Sequence, residues 1–213
     1  MKNIIFFDFD GTLVDCEKYQ TQRLKQIFQK HNVDTSNINF KELIGPPLFN
    51  TFLKYIKNED PNKVLEEYNN TFDPNFLQGI SVFGGVVELL KNLRKLNYKI
   101  CVVSLQLKKI VDAELKYLNL KSYVDEVFCD SVKKPYKSKI DLVNDVIIKN
   151  NFKKSEIVFV GDTYNDVVAG KQNNILSIGV LWGYGNIKQQ DVDFVAKDSV
   201  QLFDILKSLK EDA

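Results

Sequence analysis

Ile4-Ile5-Phe6-Phe7-Asp8-Phe9-Asp10-Gly11-Thr12 sets four apolar residues directly against two aspartates and a turn. An unbroken apolar run of this length reads as a strand buried on both faces, because a strand with one wet face alternates. Asp8 and Asp10 stand two residues apart, so their side chains point to the same side while the chain stays extended. Gly11 then lets the backbone turn sharply. Ligands of open α/β sheets bind beyond the carboxyl ends of the strands, which is where both aspartates fall. Taken alone, the pair is equally compatible with a solvated loop.

Outward from this run, short β-rich segments recur at residues 98–103, 126–129, 156–160 and 175–180. Between them lie apolar stripes of helical period: Val86, Leu89, Leu90, Leu93 and Leu96; Ile110, Leu115 and Leu118; Ile140, Val143, Val146 and Ile147. Strand and helix alternating in this way predict an α/β fold, a Rossmann-like parallel sheet sandwiched by helices. One stretch breaks the alternation. From residue 16 to residue 81 only helical segments are predicted, at 17–31, 41–57 and 62–70, with Gly45-Pro46-Pro47 turning the chain at the start of the second. The expected organisation is therefore an α/β core of residues 1–15 and 82–213, with an all-helical cap of residues 16–81 inserted after the first strand.

Other predicted strands also end in groups of chemical interest. Residues 100–103 lead to Ser104, and residues 157–160 lead to Gly161-Asp162-Thr163-Tyr164-Asn165-Asp166, while Lys139 opens the helix after the third strand. Each has a plainer reading: Ser104 and Asp162 suit helix N-caps, and most lysines at a helix start are solvated. In a parallel sheet, however, all strand ends lie along one edge, so Asp8, Asp10, Ser104, Lys139, Asp162 and Asp166 should meet in one crevice. Several carboxylates in one place repel unless a cation joins them, and hard oxygen ligands select Mg2+. A hydroxyl and an ammonium beside them are what a phosphoryl group needs for positioning and charge neutralisation.

Composition narrows the remaining possibilities. In 213 residues, 29 Lys and Arg balance 28 Asp and Glu, so no bulk field recommends a nucleic acid or an anionic membrane as partner. Cys16, Cys101 and Cys129 are odd in number and widely spaced, which suits a reducing compartment and neither a disulfide framework nor a zinc site. The apolar run near Met1 is too short for a signal or spanning segment, and the expected location is the cytoplasm.

Phe7-Asp8-Phe9-Asp10-Gly11-Thr12-Leu13-Val14-Asp15 resembles the first motif of the haloacid dehalogenase superfamily. Ser104 after an apolar strand is similar to its second motif, Lys139 to its third and Gly161 to Asp166 to its fourth. The likeness covers the whole chain and includes a cap of the type inserted between the first two motifs. Ile44-Gly45-Pro46-Pro47-Leu48 and Gly179-Val180-Leu181-Trp182-Gly183-Tyr184-Gly185 further resemble the phosphoglycolate phosphatase-like subgroup. This resemblance implies a Mg2+-dependent phosphatase acting on a small, phosphoglycolate-like phosphomonoester. It implies that Asp8 attacks phosphorus to form an aspartyl-phosphate, and that Asp10 protonates the leaving oxygen and then deprotonates the hydrolytic water. It places Mg2+ on the Asp8 carboxylate, the Asp10 backbone carbonyl and Asp162, with Asp166 orienting Lys139 or binding a metal-bound water. Ser104, Lys139 and Thr12 become the expected phosphoryl contacts. The carboxylate at position 10 marks the phosphatase branch, since the dehalogenases lack one there.

Leu105, Cys16 and Phe83-Gly84 depart from the commoner residues of the pattern, and Lys133, Lys134 and Lys137 compete with Lys139. The helix start before Ile140-Asp141-Leu142-Val143 favours Lys139. A phosphosugar mutase or a pyrophosphatase of the same superfamily would use the same residues. From another class, a phospho-accepting signalling domain gathers similar groups but lacks the helical insertion. The cap should close over substrate as a lid hinged near Gly84-Gly85, with Lys18, Arg23 and Gly45 as its candidate contacts. The expected partner is a small phosphorylated metabolite, and the expected state a monomer or weak homodimer. Trp182, Tyr184 and the single histidine, His31, read as packing or helix-end residues.

Overall fold

In the computed structural model, which describes residues 2–75, 77–131, 136 and 138–211, strand β1 is Ile4–Phe7 and all four of its side chains are buried. The chain continues through β2 (Val14–Asp15), α1 (Glu17–Lys30), α2 (Leu48–Tyr55), α3 (Pro61–Asn70), β3 (Ser81–Val82), α4 (Val86–Lys95) and β4 (Lys99–Leu107). It then forms α5 (Lys108–Tyr117), β5 (Glu126–Asp130), α6 (Lys139–Lys149), β6 (Ile157–Gly161), α7 (Tyr164–Gln172), β7 (Leu176–Val180), β8 (Phe194–Ala196) and α8 (Ser199–Glu211). Six strands make one sheet in the order β5-β4-β1-β6-β7-β8, every neighbouring pair parallel. This is the expected α/β fold. No helix among the described residues is long and apolar enough to cross a membrane.

The alternation of β1 explains why its apolar run is unbroken. Ile5 and Phe7 face one layer, packing in a cluster with Leu90 and Leu93 of α4, Val111 and Leu115 of α5, and Leu202 and Leu206 of α8. Ile4 and Phe6 face the other, with Leu142, Val143, Val146 and Ile147 of α6 and Ala169 of α7. Phe7 pairs with Val102 on one side and with Val160 on the other, so the next residue of each strand reaches the same edge.

Between β2 and β3 the chain is helical, and α1 to α3 share a cluster of Leu24, Ile27, Phe28, Phe52, Ile56, Val64 and Tyr68. β2 and β3 pair antiparallel, Val14 with Val82 and Asp15 with Ser81, and tie the two ends of this stretch together. The prolines act as read: a short 3-10 turn at Phe40–Leu43 precedes Pro46-Pro47, and α2 starts only at Leu48. Pro61 occupies the first turn of α3, where its missing N–H costs nothing, and Asp60 caps the helix by accepting from the Asn62 amide at 2.9 Å. Two expectations are corrected. β4 does not end at Ser104 but runs on to Leu107 with a register shift, and α5 is capped by Leu107 with no side-chain bond, so Ser104 is no N-cap. β8 and the pair β2 and β3 were not predicted, since two or three residues show no readable period.

Phe28 is fully enclosed, with the rings of Phe40 and Tyr55 at 5.9 and 5.6 Å between centroids. Phe28→Ala should cost about 3–5 kcal/mol of local stability, as large-to-small core changes of this type do. The check is native-state hydrogen exchange: protection should fall in α1 to α3 and hold in β1, β4 and β6.

Candidate active site

Asp8 follows β1 directly, and its amide donates to the Val160 carbonyl at 2.8 Å, which locks it to the end of β6. Its Oδ1 accepts from the Phe9 amide at 2.7 Å and lies 2.6 Å from Lys139 Nζ. The same Nζ donates to Asp166 Oδ1 at 2.6 Å. Lys139 is the first residue of α6, where the helix dipole disfavours a cation, so the two carboxylates supply what the helix does not. Asp166 is itself fixed at the start of α7. Its Oδ2 accepts from the Thr163 amide at 2.9 Å and from the Thr163 hydroxyl at 2.7 Å, a capping box that leaves Oδ1 to the lysine. Lys133, Lys134 and Lys137, the competitors of Lys139, lie outside the described residues.

Asp162, fully buried after β6, is held by short-range donors from two loops. Its Oδ1 accepts from the Thr12 hydroxyl at 3.0 Å, and its Oδ2 from the Tyr184 and Gly185 amides at 2.8 and 3.3 Å. Only glycine permits this approach: a Cβ on Gly183 would stand 2.3 Å from the Gly11 carbonyl oxygen and 2.4 Å from Asp162 Cβ. The same loop reaches further, with Trp182 Nε1 donating to the Thr12 carbonyl at 3.0 Å and the Tyr184 hydroxyl to Asp15 at 2.8 Å.

One carboxylate oxygen each from Asp8, Asp162 and Asp166 lies within 4.8 Å of the others. Burial pushes Asp8 well above the usual carboxylate range and the negative Asp166 adds to it, while Lys139 opposes both. Asp162 is pushed up to about 6, first by burial and then by Asp166. Burial works against the charge of Lys139, but Asp166 and Asp8 outweigh it and raise its pKa. Three carboxylates against one ammonium leave two negative charges unanswered in a cluster of hard oxygen donors. That donor set and that charge fit a divalent cation of the Mg2+ type.

Asp10 stands apart from this cluster. Its Oδ2 accepts from the Gln106 side-chain amide, and its Oδ1 is buried with no hydrogen-bond partner among the described residues. Burial raises its pKa and the Gln106 bond lowers it. The metal contact implied for Asp10 is its carbonyl, so the side chain is left for other work. Ser104 is buried on β4, and its Oγ accepts from the Gln106 amide at 3.1 Å.

The substrate contacts expected from the sequence divide. The Thr12 side chain is fully buried, and its hydroxyl supports the Asp162 carboxylate. Arg23 is buried within the helical stretch, where it donates to the Thr71 hydroxyl at 3.0 Å and the Tyr68 carbonyl at 2.9 Å and stacks 4.0 Å over the Tyr68 ring. Lys18 is exposed and lines a cleft of about 240 Å³ with Asp15, Glu17, Gly79, Ile80 and Ser81, a lining that includes none of Asp8, Asp162 and Asp166. Gly45 does approach the site. With φ +99, it brings the turn before α2 so close to Thr163 that a Cβ would stand 2.8 Å from its Cγ2. Sequence reasoning missed Gln106, Thr163 and the amides of the Tyr184 loop. The two-residue spacing of Ser104 and Gln106 on one strand was the available signal.

A family model for haloacid dehalogenase-like hydrolases matches residues 5–180. The chain is 30% identical over 185 residues to pyrophosphatase PpaX of Bacillus velezensis, covering 84% of this chain and 82% of that protein. A solved structure described as a predicted phosphatase from Clostridium acetobutylicum superposes with a TM-score of 0.90 at 22% identity, over 98% of this chain and 99% of the other. One described as a predicted phosphoglycolate phosphatase from Haemophilus somnus gives a TM-score of 0.79 at 19% identity, over 96% and 98%. These structural likenesses establish the fold. The chain belongs to the haloacid dehalogenase-like hydrolase family, and within it is a phosphatase enzyme.

Among the described residues, Lys139 is the only cation within ion-pair distance of Asp8 and Asp166. Lys139→Met should therefore cost about 3–5 kcal/mol in metal-free buffer, because it leaves buried charges uncompensated. Denaturant unfolding with a chelator present checks this, and a loss below about 1 kcal/mol would mean that the carboxylates are neutralised by some other route.

Proposed function

We propose that this phosphatase hydrolyses a small phosphomonoester through an aspartyl-phosphate on Asp8, with Mg2+ as its metal. The observation that carries the reading is Lys139 lying 2.6 Å from both Asp8 and Asp166 inside a buried cluster that includes Asp162. Asp8, Asp162 and the Asp10 carbonyl would hold Mg2+, which when bound supplies positive charge against the phosphoryl oxygens. The Asp8 Oδ1 atom is held by Lys139 and the Phe9 amide, which leaves Oδ2 for the attack. As the bond from Oδ2 to phosphorus forms and the ester bond breaks, Asp10 gives its proton to the departing oxygen. It then takes a proton from water as the water oxygen displaces Asp8, releasing phosphate. Gln106 suits this role by holding one oxygen of Asp10 and leaving Oδ1 unpaired. Ser104 and Lys139 grip the transferred group.

The approach of the Gly45 turn to Thr163 supports a cap that closes over a small substrate and excludes bulk water. A second reading, with inorganic pyrophosphate as substrate, is supported by the relatives that carry the name pyrophosphatase and share 24–30% identity with this chain. It needs the same residues, with phosphate in place of an alcohol as leaving group.

Asp8→Asn should abolish turnover with the fold intact, and Asp10→Asn should lower kcat by about 10²–10⁴-fold, the usual worth of a general acid and base. Steady-state phosphate release and circular dichroism together check both. Exhaustive chelation should stop the reaction and Mg2+ restore it, whereas Ca2+ should not, since its looser geometry spoils in-line attack. Full activity in the chelated protein would remove the metal from the mechanism. A folded phosphoprotein should not be dephosphorylated at a rate rivalling small esters.

A further inference from the structure

Tyr184 touches the carboxylate cluster and both ends of the helical stretch at once. Its amide donates to Asp162 Oδ2 at 2.8 Å, beside the Gly185 amide at 3.3 Å. Its hydroxyl accepts from the Cys16 amide at 2.6 Å and donates to Asp15 Oδ1 at 2.8 Å, and the same Oδ1 accepts from the Glu17 amide at 3.2 Å. Here the chain leaves β2 and enters α1. The ring of Tyr184 packs on Phe83, where the chain returns through β3, with 6.2 Å between centroids. The outgoing and returning segments form one two-stranded neck, in which Val14 pairs with Val82, Asp15 pairs with Ser81, and the Phe83 amide donates to the Leu13 carbonyl at 3.2 Å.

On the core side this loop is closely fitted. Trp182 Nε1 donates to the Thr12 carbonyl at 3.0 Å, while the Thr12 hydroxyl holds the other oxygen of Asp162. A Cβ on Gly185 would stand 2.0 Å from the Asp162 carbonyl oxygen. A swing of the helical stretch against the sheet has to pass through the neck, which is only two residue pairs long. Such a swing either breaks both bonds of the Tyr184 hydroxyl, leaving the buried Cys16 amide without its acceptor, or drags the loop and disturbs the amides on Asp162. We infer that Tyr184 is a positioning residue that joins the posture of the helical stretch to the grip on Asp162, so that the metal-loaded site and the observed neck stabilise each other. The inference rests on the reading above in which Asp162 holds Mg2+. It assigns the two halves of Tyr184 different work: the backbone amide orients the carboxylate, and the hydroxyl carries the coupling to the neck. Coupling of this kind is reciprocal, so Mg2+ on Asp162 has to tighten a neck that it does not touch.

The test is amide hydrogen exchange followed by NMR, without Mg2+ and with saturating Mg2+. It is read at the amides of residues 184 and 185, which bond Asp162, and at the Phe83 amide, whose partner is the Leu13 carbonyl. In the wild-type chain Mg2+ should slow exchange at both places, by about fivefold or more at Phe83, as for ordinary coupling between two sites. In Tyr184→Phe, which keeps the ring and the amide, Mg2+ should still protect the loop while its effect at Phe83 disappears. Should that variant fail to fold, Asp15→Ala, which removes the acceptor of the hydroxyl and leaves the loop unchanged, carries the same comparison. A hydroxyl that merely supports the fold would leave the Mg2+ effect at Phe83 intact, with exchange there faster by one common factor in both conditions. That outcome overturns the inference, as does a wild-type Phe83 amide indifferent to Mg2+ in a protein whose loop Mg2+ protects. Failure of the metal reading is separately visible: Mg2+ that protects no loop amide and supports no phosphate release from nitrophenyl phosphate overturns both.

Discussion

Asp8, Asp162 and Asp166 are buried with carboxylate oxygens inside 4.8 Å, and the rest of the structure is arranged around that repulsion. Like charges out of water raise one another's proton affinity and destabilise the fold that holds them. Here the answer is spread over several elements. Lys139 comes from the start of α6, the Thr163 amide and hydroxyl from the start of α7, the Thr12 hydroxyl from the first-strand loop and two amides from the loop after β7. No single element carries the site, so a one-residue slip of β1 against β6 would dismantle it. Such a slip would also exchange the side chains of β1 between its two layers and spoil the packing of both.

The glycines around Asp162 extend the constraint to the helical stretch. The loop that brings the Tyr184 amide to Asp162 also brings the Tyr184 hydroxyl to Asp15 and to the Cys16 amide, the latter at 2.6 Å. Asp15 pairs with Ser81 in the two-stranded neck. Holding Asp162 and holding the neck are thus one packing problem, and a movement of α1 that breaks the Tyr184 contacts loosens a loop bound to the carboxylate cluster. Gly85, in contrast, begins α4 against Ser199, where a Cβ would stand 2.1 Å from the hydroxyl oxygen, so its freedom serves close packing at that point.

The carboxylates and Lys139 were legible in the sequence because a parallel sheet sends every strand end to one edge, whatever the connecting segments do. That logic needs only the right strands, and β1, β4, β5, β6 and β7 announced themselves by apolar runs. It says nothing about irregularity within a strand, which is why Gln106 was missed: the register shift after Ser104 carries β4 onward and puts a side-chain amide against Asp10. The Thr12 bond to Asp162 was hidden for a related reason. Its partner, Asp162, is 150 residues away in sequence, and no local pattern distinguishes a hydroxyl aimed at substrate from one aimed at a buried carboxylate.

Arg23 shows where sequence reasoning about the cap runs out. A basic residue on an amphipathic helix near a phosphate-handling loop invites an electrostatic role, yet Tyr68 and Thr71 of the same helical stretch take its donors and aromatic rings cover its face. A guanidinium so engaged stabilises α1 against α3 and is a poor match for a diffusing anion, since binding one would first break those bonds. Glu114 is the converse case, a carboxylate buried on α5 beside Ile110, Val111 and Leu115 that no periodicity of the sequence singled out.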